Sequence, residues 1–327
     1  MRIHHVSVLA ILSLLAGHSA GAADWEIVAS PSAGRQANSL SSLAPVADND
    51  VWAVGWAFNA QLNAYRTVTE HWNGTRWSLV RSPNATNGYN FLNGVGVVAA
   101  NDVWAVGQAA NGSTYSTMIQ HWNGTAWSIV PSPTVDHDIL FGVDAIATND
   151  VWAAGRSRPG GYGEDRTLTM HWNGANWTVV PSPNGGVNDN DLFGVAMVAS
   201  NDVWAVGNNG SLATLAIHWD GTSWSVVPTP AFNPNATNQV LIGIVALSSD
   251  DIWTAGQYIV PLQGSAQFTL TENWNGSNWN FVPSPNAQNS NNRLHGIAAT
   301  PNGTLWAVGT TGVFTRPERT LILRKNP

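Results

Sequence analysis

The chain repeats itself with a period near 50 residues, and no other property constrains its fold as strongly. A D-V-W-A-V-G motif places Trp52, Trp104, Trp152, Trp204, Trp253 and Trp306 at spacings of 52, 48, 52, 49 and 53. A second motif, H-W-N-G-T-x-W-x-x-V-P-S-P with small variations, follows each of the first five copies and adds a tryptophan pair, as in Trp72/Trp77 and Trp122/Trp127. Units of this length, built from short alternating segments, are the signature of four-stranded propeller blades. The pattern predicts an all-β chain folded as a six-bladed β-propeller of four-stranded blades.

Each blade reads in order. Strand A is the stretch typified by residues 194–199, strand B is V-W-A-V-G, strand C is typified by residues 167–172, and strand D is W-x-x-V-P-S-P, where the prolines end the pairing. Asn-Gly between C and D (Asp220-Gly221 in blade four) is a two-residue hairpin signal. With the turn at Asn73-Gly74, Trp72 is expected opposite Thr75, with Trp77 its diagonal neighbour. Blade six has strands A, B and C, and then the sequence stops. Residues 25–31, W-E-I-V-A-S-P, match residues 77–83 in pattern. The N-terminal strand is therefore expected to complete the C-terminal blade, pairing two edges that would otherwise invite aggregation. This scheme places 17 of the 18 tryptophans in equivalent strand slots, as core between blades, and leaves Trp56 outside the pattern.

The first residues read as a signal peptide: Arg2, an apolar stretch over residues 6–16, then Ala20-Gly21-Ala22. Cleavage is expected after Ala22, which assigns residues 1–22 to the signal and residues 23–327 to one propeller domain, secreted or periplasmic. No later stretch is long and apolar enough for a transmembrane helix. A net charge of −7 with a single lysine, Lys325, argues against nucleic acid and anionic membrane as partners. The absence of cysteine excludes a disulfide or a thiolate nucleophile.

In an up-and-down blade the A–B and C–D turns share one face, and the B–C and D–A connections share the other. The first set is nearly invariant here; the second varies, and function concentrates on variable loops held by a rigid scaffold. His71, His121, His171 and His218 recur before the strand C tryptophans. As symmetry copies they are held apart around the ring and cannot converge on one ion, so a structural role is expected and no metal site or cofactor is assigned. The same holds for Asp50, Asp102, Asp150, Asp202 and Asp251 in the A–B turns. Residues that break the repeat on the variable face are better ligand-binding candidates. These are Trp56, Tyr65 and Arg66 in blade one; His137 and Asp138 at the entrance to blade three; and Arg156, Arg158, Tyr162 and Arg166 in its B–C loop. Blade six adds Arg293, His295 and Arg319. No catalytic motif is found, and no catalytic residue is assigned.

The succession W-x-x-V-P, G-V, N-D-V-W-A-V-G resembles the tectonin-type propeller repeat over nearly the whole chain after the signal segment. That resemblance implies lectin-like recognition of glycans or lipopolysaccharide and names no specific site residue. The C–D hairpin is similar to the Asp-box turn of sialidase propellers, although only Asp220 supplies the acid. Kelch-type repeats share the period but not their Gly-Gly pair. Three functions follow as expectations: a carbohydrate-binding module; a protein-interaction scaffold; and a polysaccharide lyase or hydrolase, with His137 or Tyr162 as base and Arg156 or Arg158 neutralising a uronate.

Overall fold

The computed structural model describes residues 28–34, 37–133, 137–210, 213–230, 235–261, 266–287, 291–300, 302–312 and 319–326. It is an all-β propeller of six antiparallel sheets. Blade three shows the plan: strand A at Ile139–Ala147, B at Asp150–Ser157, C at Arg166–Trp172 and D at Trp177–Val180, paired in that order. Five sheets have four strands. The sixth has three: Asn291–Ala299, Leu305–Gly312 and Arg319–Lys325. Of the expected closing strand, residues 25–27 lie outside the described residues, as does the signal segment; residues 28–31 are described and belong to no strand, so the expected four-stranded closure of blade six is not seen.

Strand B is the apolar spine of each blade. Its tryptophan also packs onto the next blade: Trp52 meets Trp127 edge-on at 5.2 Å, and Trp104 meets Trp177 at 5.5 Å. Such pairs add about 0.5–1.5 kcal/mol beyond the area they bury. The repeat thus specifies the junctions as well as the blades.

The recurring histidines and aspartates explain one another. His71, His121, His171 and His218 each place Nε2 2.8–2.9 Å from the A–B turn aspartate of their own blade, Asp50, Asp102, Asp150 and Asp202. Each ring also lies against the strand B tryptophan, 4.4–4.6 Å between centroids. In blade five Asn273 Nδ2 donates to Asp251 at 2.9 Å, so an amide does the same work. His121→Asn is therefore expected to shift stability by less than about 1 kcal/mol, whereas His121→Ala removes a partner of the buried Asp102 and costs about 1–3 kcal/mol. Denaturant midpoints of the two variants measure this difference, and equal midpoints would contradict the tether.

The hairpin register differs from the sequence expectation. Trp72 pairs directly with Trp77, not with Thr75. The loop has four residues because the Asn73 side chain accepts the N–H groups of Thr75 and Arg76, both at 3.1 Å, and so replaces a backbone turn. The same geometry recurs at Asn123 and Asp220.

Inner strands of consecutive blades approach closely. A Cβ built on Gly94 would sit 2.6 Å from Phe141 O, and one on Gly194 2.9 Å from Ile242 O. At Gly296 the nearest atom is Val308 Cγ2 of its own blade, at 3.6 Å. The junction of blade six with blade one is correspondingly loose. Leu43 is 66% exposed and Val308 45%, while Val95 and Val106 in the same slots of blade two are 6% and 0%. Apolar residues of both blades thus meet solvent at this junction.

Candidate functional site

In blade one, strands B and C run to Asn59 and from Ala64, so Trp56 and Tyr65 stand on a rigid ladder rather than on a loop. Their rings meet edge-on at 5.0 Å. Phe58 lies 5.2 Å from Tyr65. Two residues that the repeat pattern did not single out, Tyr89 and Phe91, come from the inner strand of blade two, Tyr89–Ala99. Tyr89 is 5.2 Å and Phe91 5.0 Å from Tyr65, and Phe91 is 5.8 Å from Trp56. The five rings form one cluster across the groove between blades one and two. Trp56 and Tyr65 are half-buried in it; Tyr89 is its most exposed member, at 40%. Phe91 was visible as a break in the repeat, because its slot holds Ile139, Asp191, Val240 and Arg293 in the following blades.

Arg66 does not face solvent as a hydrogen-bonding arm. Its guanidinium donates to the backbone carbonyls of Thr86 at 2.8 Å, Asn87 at 2.9 Å and Gly88 at 3.3 Å. Asn90 clamps the same connection from below. Its Oδ1 accepts from Thr86 N at 3.1 Å, and its Nδ2 donates to the carbonyls of Thr86 at 3.0 Å and Gly88 at 3.1 Å. The connection that presents Tyr89 is therefore held from both sides. Asp138 occupies the slot of Asn90, Asn190 and Asn292, all loop caps, and is fully buried. His137 packs between Tyr115, 6.1 Å away, and Gly161.

The blade-three arginines are also committed. Arg158 makes a bidentate pair with Asp165, Nε–Oδ1 and Nη2–Oδ2 both 2.9 Å. Arg156 bridges Asp165 at 3.0 Å and Asp191 at 3.2 Å, and lies over the Phe141 ring at 5.7 Å. Asp189 Oδ1 accepts the Asp165 N–H at 2.7 Å. Burial raises the Asp191 carboxyl, and Arg156 opposes that shift. Two arginines set against Asp165, Asp189 and Asp191 leave no surplus positive charge in this network. Tyr162, 89% exposed, and Arg166, also exposed, stand on the solvent side of this network.

The remaining sequence candidates lie elsewhere. His295 joins Ser41, Asn93, Phe141, Phe193 and Ile242, one from each blade, in lining the central channel. Arg293 donates to Gln267 Oε1, and Arg319 is exposed at the start of its strand. The candidates therefore fall into separate regions: an aromatic groove, an ionic network, the channel and the blade-six rim.

No protein-family model matches the sequence, and no curated protein does. A solved structure does match: a lectin, SapL1, in complex with alpha methyl fucoside, at a TM-score of 0.51 and 10% identity over 84% of this chain and 92% of that one. What the two share is the fold. At this identity no binding residue carries over.

Proposed function

We propose that this chain is an exported, non-catalytic, lectin-like carbohydrate-binding module, and that it takes sugar on the aromatic groove between blades one and two. The observation that carries the reading is the five-ring cluster fixed by Arg66 and Asn90, with Tyr89 outermost. A flat apolar ring held in place matches the C–H face of a sugar, and small-molecule sites are lined mainly by apolar and aromatic side chains. Rigid presentation limits the ordering cost of binding. A fucoside-bound lectin of the same fold supports this class of ligand at a coarse level. The internally neutralised arginines speak against the lyase alternative.

A glycan array identifies the ligand, and calorimetry on variants locates the site. Tyr89→Ala is expected to weaken binding by about 1–3 kcal/mol with the melting temperature nearly unchanged, because the ring is partly exposed. Trp56→Ala is expected to lower affinity and stability together, since its ring is packed edge-on against two others. Full affinity in Tyr89→Ala would refute the groove as the sugar site.

A further inference from the structure

Every blade carries a β-bulge at the same point of its inner strand. The register slips after Leu40, Leu92, Leu140, Leu192, Leu241 and Leu294, and a glycine follows the bulge in five blades of the six. Each bulge inserts one residue that has no partner in the ladder, and a bulge of this kind re-aims a side chain. The inserted residues are Ser41, Asn93, Phe141, Phe193, Ile242 and His295, and they are the six that line the central channel, one from each blade.

The residues on either side of the bulge obey the repeat; the bulged residue does not, and its identities divide the ring in two. Blades six, one and two supply His295, Ser41 and Asn93. Blades three, four and five supply Phe141, Phe193 and Ile242. Packing alone would be served by apolar residues at all six positions. On the apolar half the Phe141 and Phe193 rings stand 5.1 Å apart at 49°, an angled wall that Ile242 continues. On the polar half His295 and Ser41 are exposed, and Asn93 Nδ2 donates to Leu140 O at 2.9 Å, which leaves Oδ1 as an acceptor. The bulges are held tightly: a Cβ on Gly142 would lie 3.1 Å from Phe193 O, and one on Gly194 2.9 Å from Ile242 O. The cavity they enclose has a volume of about 270 Å³. That is just under the range of pockets for drug-sized ligands, about 300–1,000 Å³, and suits a molecule with a single ring.

We propose that the central channel is a second ligand site, which takes a neutral aromatic alcohol with its ring against Phe141, Phe193 and Ile242 and its hydroxyl toward His295, Ser41 and Asn93. A hydroxyl both donates and accepts, and the polar half offers both functions. The nearby charges are already committed. Arg156, over the Phe141 ring, is paired with Asp165 and Asp191. Asp144, three residues along from Phe141, accepts the N–H groups of Ala145 and Met197, both at 2.9 Å. A charged ligand would therefore find no counter-ion. A free monosaccharide, with hydroxyls around its whole rim, would bury some of them unpaired against the apolar wall. The site shares no residue with the aromatic groove between blades one and two and does not depend on it.

Phenol, titrated into the full chain by calorimetry, is expected to saturate one site per chain with a Kd of about 1 mM or below. Phe193→Ala is expected to weaken it about tenfold or more. His295→Leu is expected to weaken phenol about fivefold and to leave toluene, which lacks the hydroxyl, within about twofold. Tyr89→Ala, in the groove, is expected to change nothing. No saturable binding, full phenol affinity in both channel variants, an equal loss of toluene in His295→Leu, or loss of phenol in Tyr89→Ala would each overturn the proposal. Should the channel variants fail to fold, crystals of the unaltered protein soaked in 4-bromophenol decide it. Anomalous scattering is expected to place the bromine in the channel, and bromine found only elsewhere would overturn the site.

Discussion

Gly155→Ala is expected to destabilise the protein by about 3 kcal/mol or more, a fall of roughly 6–12 °C in melting temperature. Gly155 ends the D-V-W-A-A-G motif of blade three and faces a bulge in strand A, where the register slips between Ala154 and Gly155. A methyl group there would lie 1.9 Å from Ile139 O and 2.8 Å from Leu140 Cα. Both neighbours are backbone of the inner strand, so no side chain can turn aside; the ladder between A and B must open. The equivalent contacts at Gly55, Gly107, Gly207, Gly256 and Gly309 are 1.8–2.0 Å, which explains why every blade keeps glycine at this point. Gly112→Asn is the comparison. Its φ is +65° in open space, a conformation that asparagine tolerates, and the expected change is within about 0.5 kcal/mol. Thermal unfolding of both variants, monitored by circular dichroism, checks the pair. Equal melting temperatures would show that the bulge yields easily.

Glu272→Gln is expected to stabilise the protein, and to do so more as pH rises. Glu272 lies two residues before Trp274, fully buried between blades five and four. Its Oε1 accepts from Thr214 Oγ1 at a long 3.4 Å, and its Oε2 has no hydrogen-bond partner. Burial pushes the carboxyl up to about 8, against an ordinary value of 4.5. The native state therefore holds a proton that the unfolded chain releases across that window. Stability falls as pH climbs from about 4.5 to 8, and the penalty is complete once the native carboxyl ionises above 8. A shift of this size corresponds to about 5 kcal/mol at most, since one unit is worth about 1.4 kcal/mol. Gln120 occupies the same slot in blade two, buried, with Nε2 donating to Pro83 O at 2.9 Å, so the amide fits there without a charge to bury. The variant is expected to exceed the parent by about 2–4 kcal/mol at pH 8 and to converge with it near pH 5. Asp144 is raised by burial as well, but it is present in both proteins and cancels from the difference. Parallel stability curves from pH 5 to pH 9 would exclude Glu272 as the source.

Much of the architecture was legible because it is written locally. Blade count, strand order and the strand B tryptophans follow from a period near 50 residues that two consecutive units already reveal and six copies count. The histidine and aspartate series read correctly as structural for the same reason: a role repeated in every blade belongs to the blade. Even the hairpin error was local. Asn-Gly signals a two-residue turn, whereas the Asn73 side chain, by accepting two backbone amides, lengthens the loop and brings Trp72 opposite Trp77.

The candidate site was far less legible. Trp56, Arg66, Arg156 and Arg158 all broke the repeat, and a break says that a residue is special without saying for what. Arg66 became a clamp on the carbonyls of residues 86–88, and Arg158 a bidentate partner of Asp165. Trp56 gained Phe91 from the next blade, 35 positions along the chain. The sequence by itself determined the blades and the pattern that joins them, since repeated hydrophobic and turn signals act over a few residues. Only the tertiary structure decided which irregular side chains meet, because those contacts cross from one blade to the next and depend on the angle at which two twisted sheets are set.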